Sequence, residues 1–203
     1  MLDLIASALG RGDEVPNIEL ALKLAEARDA DGIAEIVSGL GMGKAVANDC
    51  VKVLYEIGER EPSLIAAHVD VFLDLLKSKN NRLVWGGMTA LGQITAVCPE
   101  KVFARLDEVC AAFEIGSVIT VDHAISVFAG LCAAGAEYSR QGLPLLLGHF
   151  ETCRAKEIPQ HLERASVCFT ADNVEDFREI ASRRDGEMSD SQRARVRKIF
   201  KGF

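Results

Sequence analysis

The sequence predicts an all-α protein in which helical hairpins stack one on the next, an α-solenoid, and three observations carry that expectation. The chain has 203 residues, 49% hydrophobic, but only 6% are aromatic. Ala, Leu and Val dominate the apolar set, a mix suited to close-packed helices more than to sheets. Second, the chain repeats itself: "VKVLYEIGEREP" from Val51 and "MTALGQITAVCP" from Met88 superimpose 37 residues apart, with Pro62 and Pro99 coinciding. Third, within each copy the apolar residues recur at helical spacing.

The same offset runs further along the chain. One column holds Ala47, Val84, Val121 and Ile158, and the next Val51, Met88, Ile125 and Leu162. Then come Leu54, Leu91, Phe128 and Ala165, followed by Ile57, Ile94, Leu131 and Cys168. Positions 47, 51, 54 and 58 follow i, i+4, i+7, i+11, one stripe of a helix. A second set, Ile36, Leu73, Cys110 and Leu147 with Gly39, Leu76, Phe113 and Phe150, belongs to the preceding helix. Each unit is therefore two helices and two turns.

Taken in order, residues 1–29, including "NIELALKLAEA", leave the register and are expected to form N-terminal capping helices over the first repeat's apolar face. Residues 30–170 are the core repeats. Their intra-repeat turn includes "GLGMGKA" from Gly39, which resembles a phosphate-binding loop. The pattern G-x-x-x-x-G-K-[ST] fails there: Ser38 stands at the first Gly, Ala45 lacks the magnesium-binding hydroxyl, and "DGIAEIVSGL" before it has helical rather than strand spacing. In the repeat register, residues 41–44 align with Ser78, Ile115 and Thr152 and their three successors, as the turn inside each repeat. A Gly there is expected to end the first helix in a left-handed conformation, with Asn80, Asn81 or Ser117 capping the next. Pro62 and Pro99 are expected where helices begin. Residues 171–203 form C-terminal capping helices separated by "RDGEMSDSQ", with Ser189, Asp190 or Ser191 capping the last. The whole is read as one domain, 1–203, of about five helical hairpins.

The stretch "LDLLKSKNNRLVWGGMTALGQIT", Leu73 to Thr95, resembles a HEAT repeat in its "LLKS" helix end, polar turn and "ALG" of Ala90 to Gly92. The resemblance covers about residues 31–170. It implies a right-handed superhelix whose second helices line a concave surface. HEAT turns usually carry an Asp, with an Arg early in the second helix, forming a ladder between repeats. Asn80, Asn81, Val84 and Trp85 stand in that region, so the ladder is absent or altered. A tetratricopeptide array shares the period but not the aromatic and Gly pattern.

Net charge is −7. Residues 183–203 hold seven basic and three acidic side chains, leaving −11 on the first 182 residues. An acidic body argues against a nucleic-acid groove. No apolar run approaches the roughly 18 residues of a membrane span, and "MLDLIASALGRGDEV" shows neither a basic n-region nor a cleavage site, so a cytoplasmic location is expected. "RGD" at Arg11 to Asp13 is then read as a polar loop. The six cysteines are scattered without C-x-x-C spacing and read as reduced core residues. Acid/base catalysis needs a His–carboxylate or carboxylate pair; Asp122 and His123 are adjacent and point apart. No catalytic residue or cofactor is assigned.

His149 and Cys153 stand four apart on one helix face, with His161 and Cys168 on the next helix. A structural zinc needs four converging ligands, and an apolar column claims Cys168, so no metal is expected. The face opposite the 47/51/54/58 stripe gives the candidate partner-binding surface: Asp49, Lys52, Glu56, Trp85, Thr89, Gln93, His123 and Ser126. Tyr55 flanks it, and Gly86 and Gly87 beside Trp85 weaken the helix, which implies close helix approach or a partner's backbone. A second candidate is a basic patch on the last helix, Arg193, Arg195, Arg197, Lys198 and Lys201, for an acidic partner, anionic lipid, nucleic acid or another copy's acidic body. The expected function is a non-catalytic protein–protein interaction scaffold whose concave surface receives an unidentified protein or peptide. Nucleic-acid binding or DNA repair of the HEAT-like kind is the alternative, as is a HEAT-like cofactor lyase.

Overall fold

The structure, a computed structural model, describes residues 1–203. It contains twelve α-helices and no strand. In chain order they are α1 (Val15–Ala27), α2 (Ala30–Gly39), α3 (Lys44–Arg60), α4 (Val69–Leu75), α5 (Asn81–Ile94) and α6 (Pro99–Ala104). The remainder are α7 (Leu106–Ile115), α8 (Val118–Ala134), α9 (Ala136–Thr152), α10 (Ile158–Ala165), α11 (Val174–Arg183) and α12 (Asp190–Phe200). The second helices α3, α5 and α8 start at Lys44, Asn81 and Val118, successive steps of 37 residues. No helix is long and apolar enough to cross a membrane. Contacts divide the chain into two compact units, residues 1–124 and 125–203.

In the first unit α1, α3 and α5 lie side by side, with α2 packed on α3 and α4 packed on α5. The columns read from the repeat form this core: Val51, Leu54, Ile57, Met88, Leu91 and Ile94 are all fully buried. Burying a side chain of this size stabilises by about 1.5–3 kcal/mol. Helix α3 hides more than one stripe. Cys50 and Val53 are also fully buried, because α3 is flanked by both α1 and α5.

Gly86 and Gly87 answer to close helix approach. A Cβ on Gly86 would stand 2.6 Å from Val51 Cγ2 on α3, and one on Gly87 2.9 Å from the Phe72 carbonyl oxygen on α4. The turn after α2 differs from expectation. None of Gly39, Gly41 or Gly43 takes a positive φ, and Leu40 closes the helix in the right-handed region at φ −63°, ψ −25°. Successive i→i−3 bonds, from Leu40 to Val37, Gly41 to Ser38 and Met42 to Gly39, satisfy the last carbonyls without a left-handed residue. Gly39 is small for another reason: its Cβ would lie 2.4 Å from Cys50 Sγ. The left-handed helix end is instead at Arg28, after α1, with φ 48°.

Asn80 caps α5 by accepting from the Arg82 N–H, and Ser117 Oγ accepts from the Thr120 N–H at the start of α8. Pro99 is the first residue of α6, whereas Pro62 opens a 3-10 turn over Pro62–Leu64.

In the second unit α9 packs on α11 and α10 on α12. Its core is aromatic: Phe177 meets Phe150 edge-on at 5.6 Å and Phe169 at 4.7 Å, and Phe169 stacks on Phe200 of α12 at 5.8 Å. On α9, which carries Pro144 in its interior, Leu146 is fully buried where the column residue Leu147 is half-buried, while the column residue Phe150 stays buried. Ser189 and Gln192 close a capping box at the start of α12.

Candidate functional site

The polar face of α3 is covered by the chain's own N-terminal segment. Residues 1–14 precede α1 as a short 3-10 turn and loop. Asn17, fully buried at the first turn of α1, accepts from the Ala6 N–H at 2.9 Å and donates through Nδ2 to Asp49 Oδ1 at 2.8 Å. Asp49 Oδ2 takes the Ser7 N–H at 2.7 Å. Asp49 therefore anchors the segment rather than facing outward.

One turn on, Lys52 Nζ reaches Glu56 at 2.6 Å (i, i+4) and Glu14 at 3.2 Å, and lies 4.9 Å from the centre of the Tyr55 ring. Glu56 also pairs with Arg60 at 2.9 Å, and Glu14 with Arg82 of α5. Arg82 lies over the Trp85 ring at 4.9 Å, and Trp85 tilts against Tyr55 with centroids 5.7 Å apart. A chain of alternating charges and rings thus runs from the N-terminal segment across α3 to α5. Burial alone would lower the Lys52 ammonium, but the Glu56 and Glu14 carboxylates outweigh it and hold its pKa above the ordinary lysine value. Desolvation pushes both carboxyls up, and their bonds to Arg82, Lys52 and Arg60 more than reverse it, leaving both below the ordinary value.

The sign of the resulting pH dependence follows. Carboxyls with depressed folded pKa values stabilise the fold above their unfolded value, 4.5, and that contribution is lost as the pH falls through the lower folded values. Lys52 contributes fully below 10.5 and loses its contribution only as the pH rises through its higher folded value. Lys52→Met is expected to lower stability by about 1–3 kcal/mol at neutral pH and to flatten the acid limb. Urea unfolding midpoints of the two proteins, compared from neutral pH down into the carboxylate range, check both parts.

The structure places the remaining expected residues as follows. Thr89 is buried and its hydroxyl donates to the Trp85 carbonyl at 2.8 Å, so it belongs to the helix. Gln93 is half-buried, its Oε1 against the Gly58 site of α3. Trp85 and His123 are half-buried. Ser126, in the second unit, accepts from Arg164 at 2.9 Å. Asp49, Lys52, Glu56, Trp85, Thr89 and Gln93 thus lie on the neighbouring helices α3 and α5. Sequence reading missed Arg82 and Glu14. Arg82 stands three residues before Trp85, a spacing that puts the two side chains on one helix face. Glu14 had no such signal, since its partners Lys52 and Arg82 are both far along the chain, Arg82 68 residues away. A cleft of about 270 Å³ lies beside the cluster, lined by Ser7, Arg11, Asp13, Glu14, Asn48, Asp49 and Arg82 among others.

The basic residues of α12 divide in two. Arg193 pairs with Asp190 and donates to the Met188 carbonyl, and Arg195 holds Glu163 of α10 in a two-pronged contact. Arg197, Lys198 and Lys201 are exposed. Arg197 and Lys201 rim a groove of about 440 Å³ floored by Ala181, Val196 and Phe200.

The structure also brings His149, Cys153 and His161 together, one nitrogen or sulfur from each lying within 4.8 Å of the others. Cys168 is not part of the group. All six cysteines are free thiols, and burial pushes Cys50 up to about 12, an unreactive core position.

These features define an all-helical repeat solenoid of the HEAT/armadillo kind, with a charged and aromatic cluster on the neighbouring helices α3 and α5 of its first unit. No protein-family model matches the chain, and no curated protein matches it. Among solved structures it is similar to the designed armadillo repeat protein YIII(Dq.V1)4CPAF in complex with the peptide (KR)4, with 13% sequence identity and a TM-score of 0.67. The match covers 100% of this chain and 90% of that one. At that identity the likeness establishes the fold alone.

Proposed function

We propose that the chain is a non-catalytic scaffold that binds a basic, extended segment of another protein across α3 and α5 of its first unit. The observation that carries this reading is the half-buried Trp85, set between Arg82 and Tyr55 and fixed by the Glu14–Lys52–Glu56 network. A rigid aromatic ring with a polar rim is the kind of residue that anchors interfaces. The charge of the partner follows from the distribution of ionic residues. Residues 1–124 hold 11 Lys and Arg against 19 Asp and Glu, net −8, while residues 125–203 hold 12 against 11, net +1. The unit that bears Trp85 thus carries the whole negative excess, a field that draws a basic peptide and is screened by salt. The designed neighbour's basic peptide partner supports the same class of ligand.

Because Trp85 is the chain's single tryptophan, its fluorescence reports on this surface alone. Titration with the (KR)4 peptide is expected to change that emission saturably, with affinity falling as salt rises. Binding of the labelled peptide is expected to weaken about thirtyfold in Trp85→Ala, the loss of one interface anchor. An unchanged emission together with unchanged peptide anisotropy would reject the reading, and binding of an acidic peptide instead would reject its charge. Lys52 and Thr89 are unsuited to such tests, because both are buried and their replacement disturbs packing.

A further inference from the structure

We propose that His149, Cys153 and His161 form a zinc site in the second unit. Cys153 closes α9, and its N–H donates to the His149 carbonyl at 2.8 Å, which sets the thiol one turn beyond the imidazole. His161 comes from α10, is fully buried, and brings Nδ1 to 2.9 Å from His149 Nε2. With Cys153 Sγ these atoms all lie within 4.8 Å of one another. A tetrahedral zinc bound at the usual Zn–N and Zn–S lengths separates its ligand atoms by about 3.3–3.6 Å, so small side-chain rotations bring the trio into place. Thiolate and imidazole together favour zinc over the oxygen-seeking magnesium and calcium.

The proton changes balance simply. In the bound form each imidazole turns the lone pair of its contacting nitrogen to the ion and carries its N–H on the other ring nitrogen. Cys153 releases its thiol proton to solvent, so one proton leaves per ion bound. Burial pushes this thiol up, while Arg184, with Nη1 3.7 Å from Sγ, opposes that and can hold the thiolate as an outer-shell donor. Uptake therefore strengthens as pH rises. Arg184 is itself balanced by Glu187 at 2.6 Å, and Glu157, whose charge reaches Cys153, is paired with Arg154. The ion's charge thus meets compensated surroundings. Half-buried His149 is the route of entry, and water or an external ligand takes the fourth position.

Cobalt substitution tests the site on the full chain, stripped with chelator and kept reduced. One equivalent of Co²⁺ is expected to give the visible bands of tetrahedral cobalt and a thiolate-to-cobalt charge-transfer band, both removed by Zn²⁺. Cys153→Ser is expected to abolish the charge-transfer band, whereas Cys132→Ser keeps it. His149→Gln, a half-buried position that keeps the buried His161 in place, is expected to weaken cobalt binding more than about a hundredfold, beyond the loss usual for an outer-shell residue. Absence of the band in the wild type, its survival in Cys153→Ser, or unchanged affinity in His149→Gln would overturn the proposal.

Discussion

Replacing Gly87 by valine is expected to destabilise the chain by about 3 kcal/mol, the upper range for forcing extra atoms into a packed core. The added Cβ stands 2.9 Å from the Phe72 carbonyl oxygen and 3.0 Å from Leu75 Cβ. The first of these is backbone in the middle of α4, and it cannot turn aside as a side chain can. The γ-methyl groups of valine then need space beside α4 that the Leu75 side chain, whose Cδ1 lies 3.6 Å from the added Cβ, already occupies. Gly86→Ala is the informative contrast. The three nearest neighbours of its Cβ all belong to the Val51 side chain, with Cγ2 at 2.6 Å and Cγ1 at 3.0 Å. The helix propensity alanine gains, about 1 kcal/mol, is offset by displacing a buried β-branched residue, and a smaller loss than that of Gly87→Val is expected. Urea unfolding of the three full-length proteins measures the difference, and equal midpoints for wild type and Gly87→Val would mean that α4 and α5 do not approach as described.

Asn17→Ala is expected to cost about 2–4 kcal/mol, because it orphans two groups at once. The Ala6 N–H loses its buried acceptor and Asp49 loses one of its two donors. The damage is local in origin: the stretch about Ala6 and Ser7 loosens, and amide exchange there is expected to rise well before the core of α3 and α5 opens. A variant with native stability and unchanged protection at those amides would show that the segment is held by other contacts.

The repeat was legible because it is written in burial. Columns such as Val51/Met88/Ile125/Leu162 are buried throughout, and the caps Asn80, Ser117 and Ser189 sit where turn chemistry asks for them. Helix ends were less legible, since a left-handed glycine and a run of i→i−3 bonds both satisfy terminal carbonyls and the sequence "GLGMGK" suits either. The candidate surface was legible in part. Helical spacing placed Asp49, Lys52 and Glu56 on one face, but nothing in the sequence records that residues 6–17 fold over that face through contacts more than 30 residues apart. His149 and Cys153 were legible as a pair because spacing of four is a local property of a helix, and His161 was read on the next helix; that α9 and α10 bring it to that pair, and leave Cys168 out, is tertiary.

The most direct test of the proposed binding face uses the single indole N–H of Trp85 in a ¹⁵N-resolved NMR spectrum of the full chain titrated with the (KR)4 peptide. The account predicts that this resonance and the amides of α3 and α5 shift together and saturate together, with α11 and α12 unmoved. Shifts confined to residues of α11 and α12, or a Trp85 resonance unmoved while the peptide binds elsewhere, would contradict it.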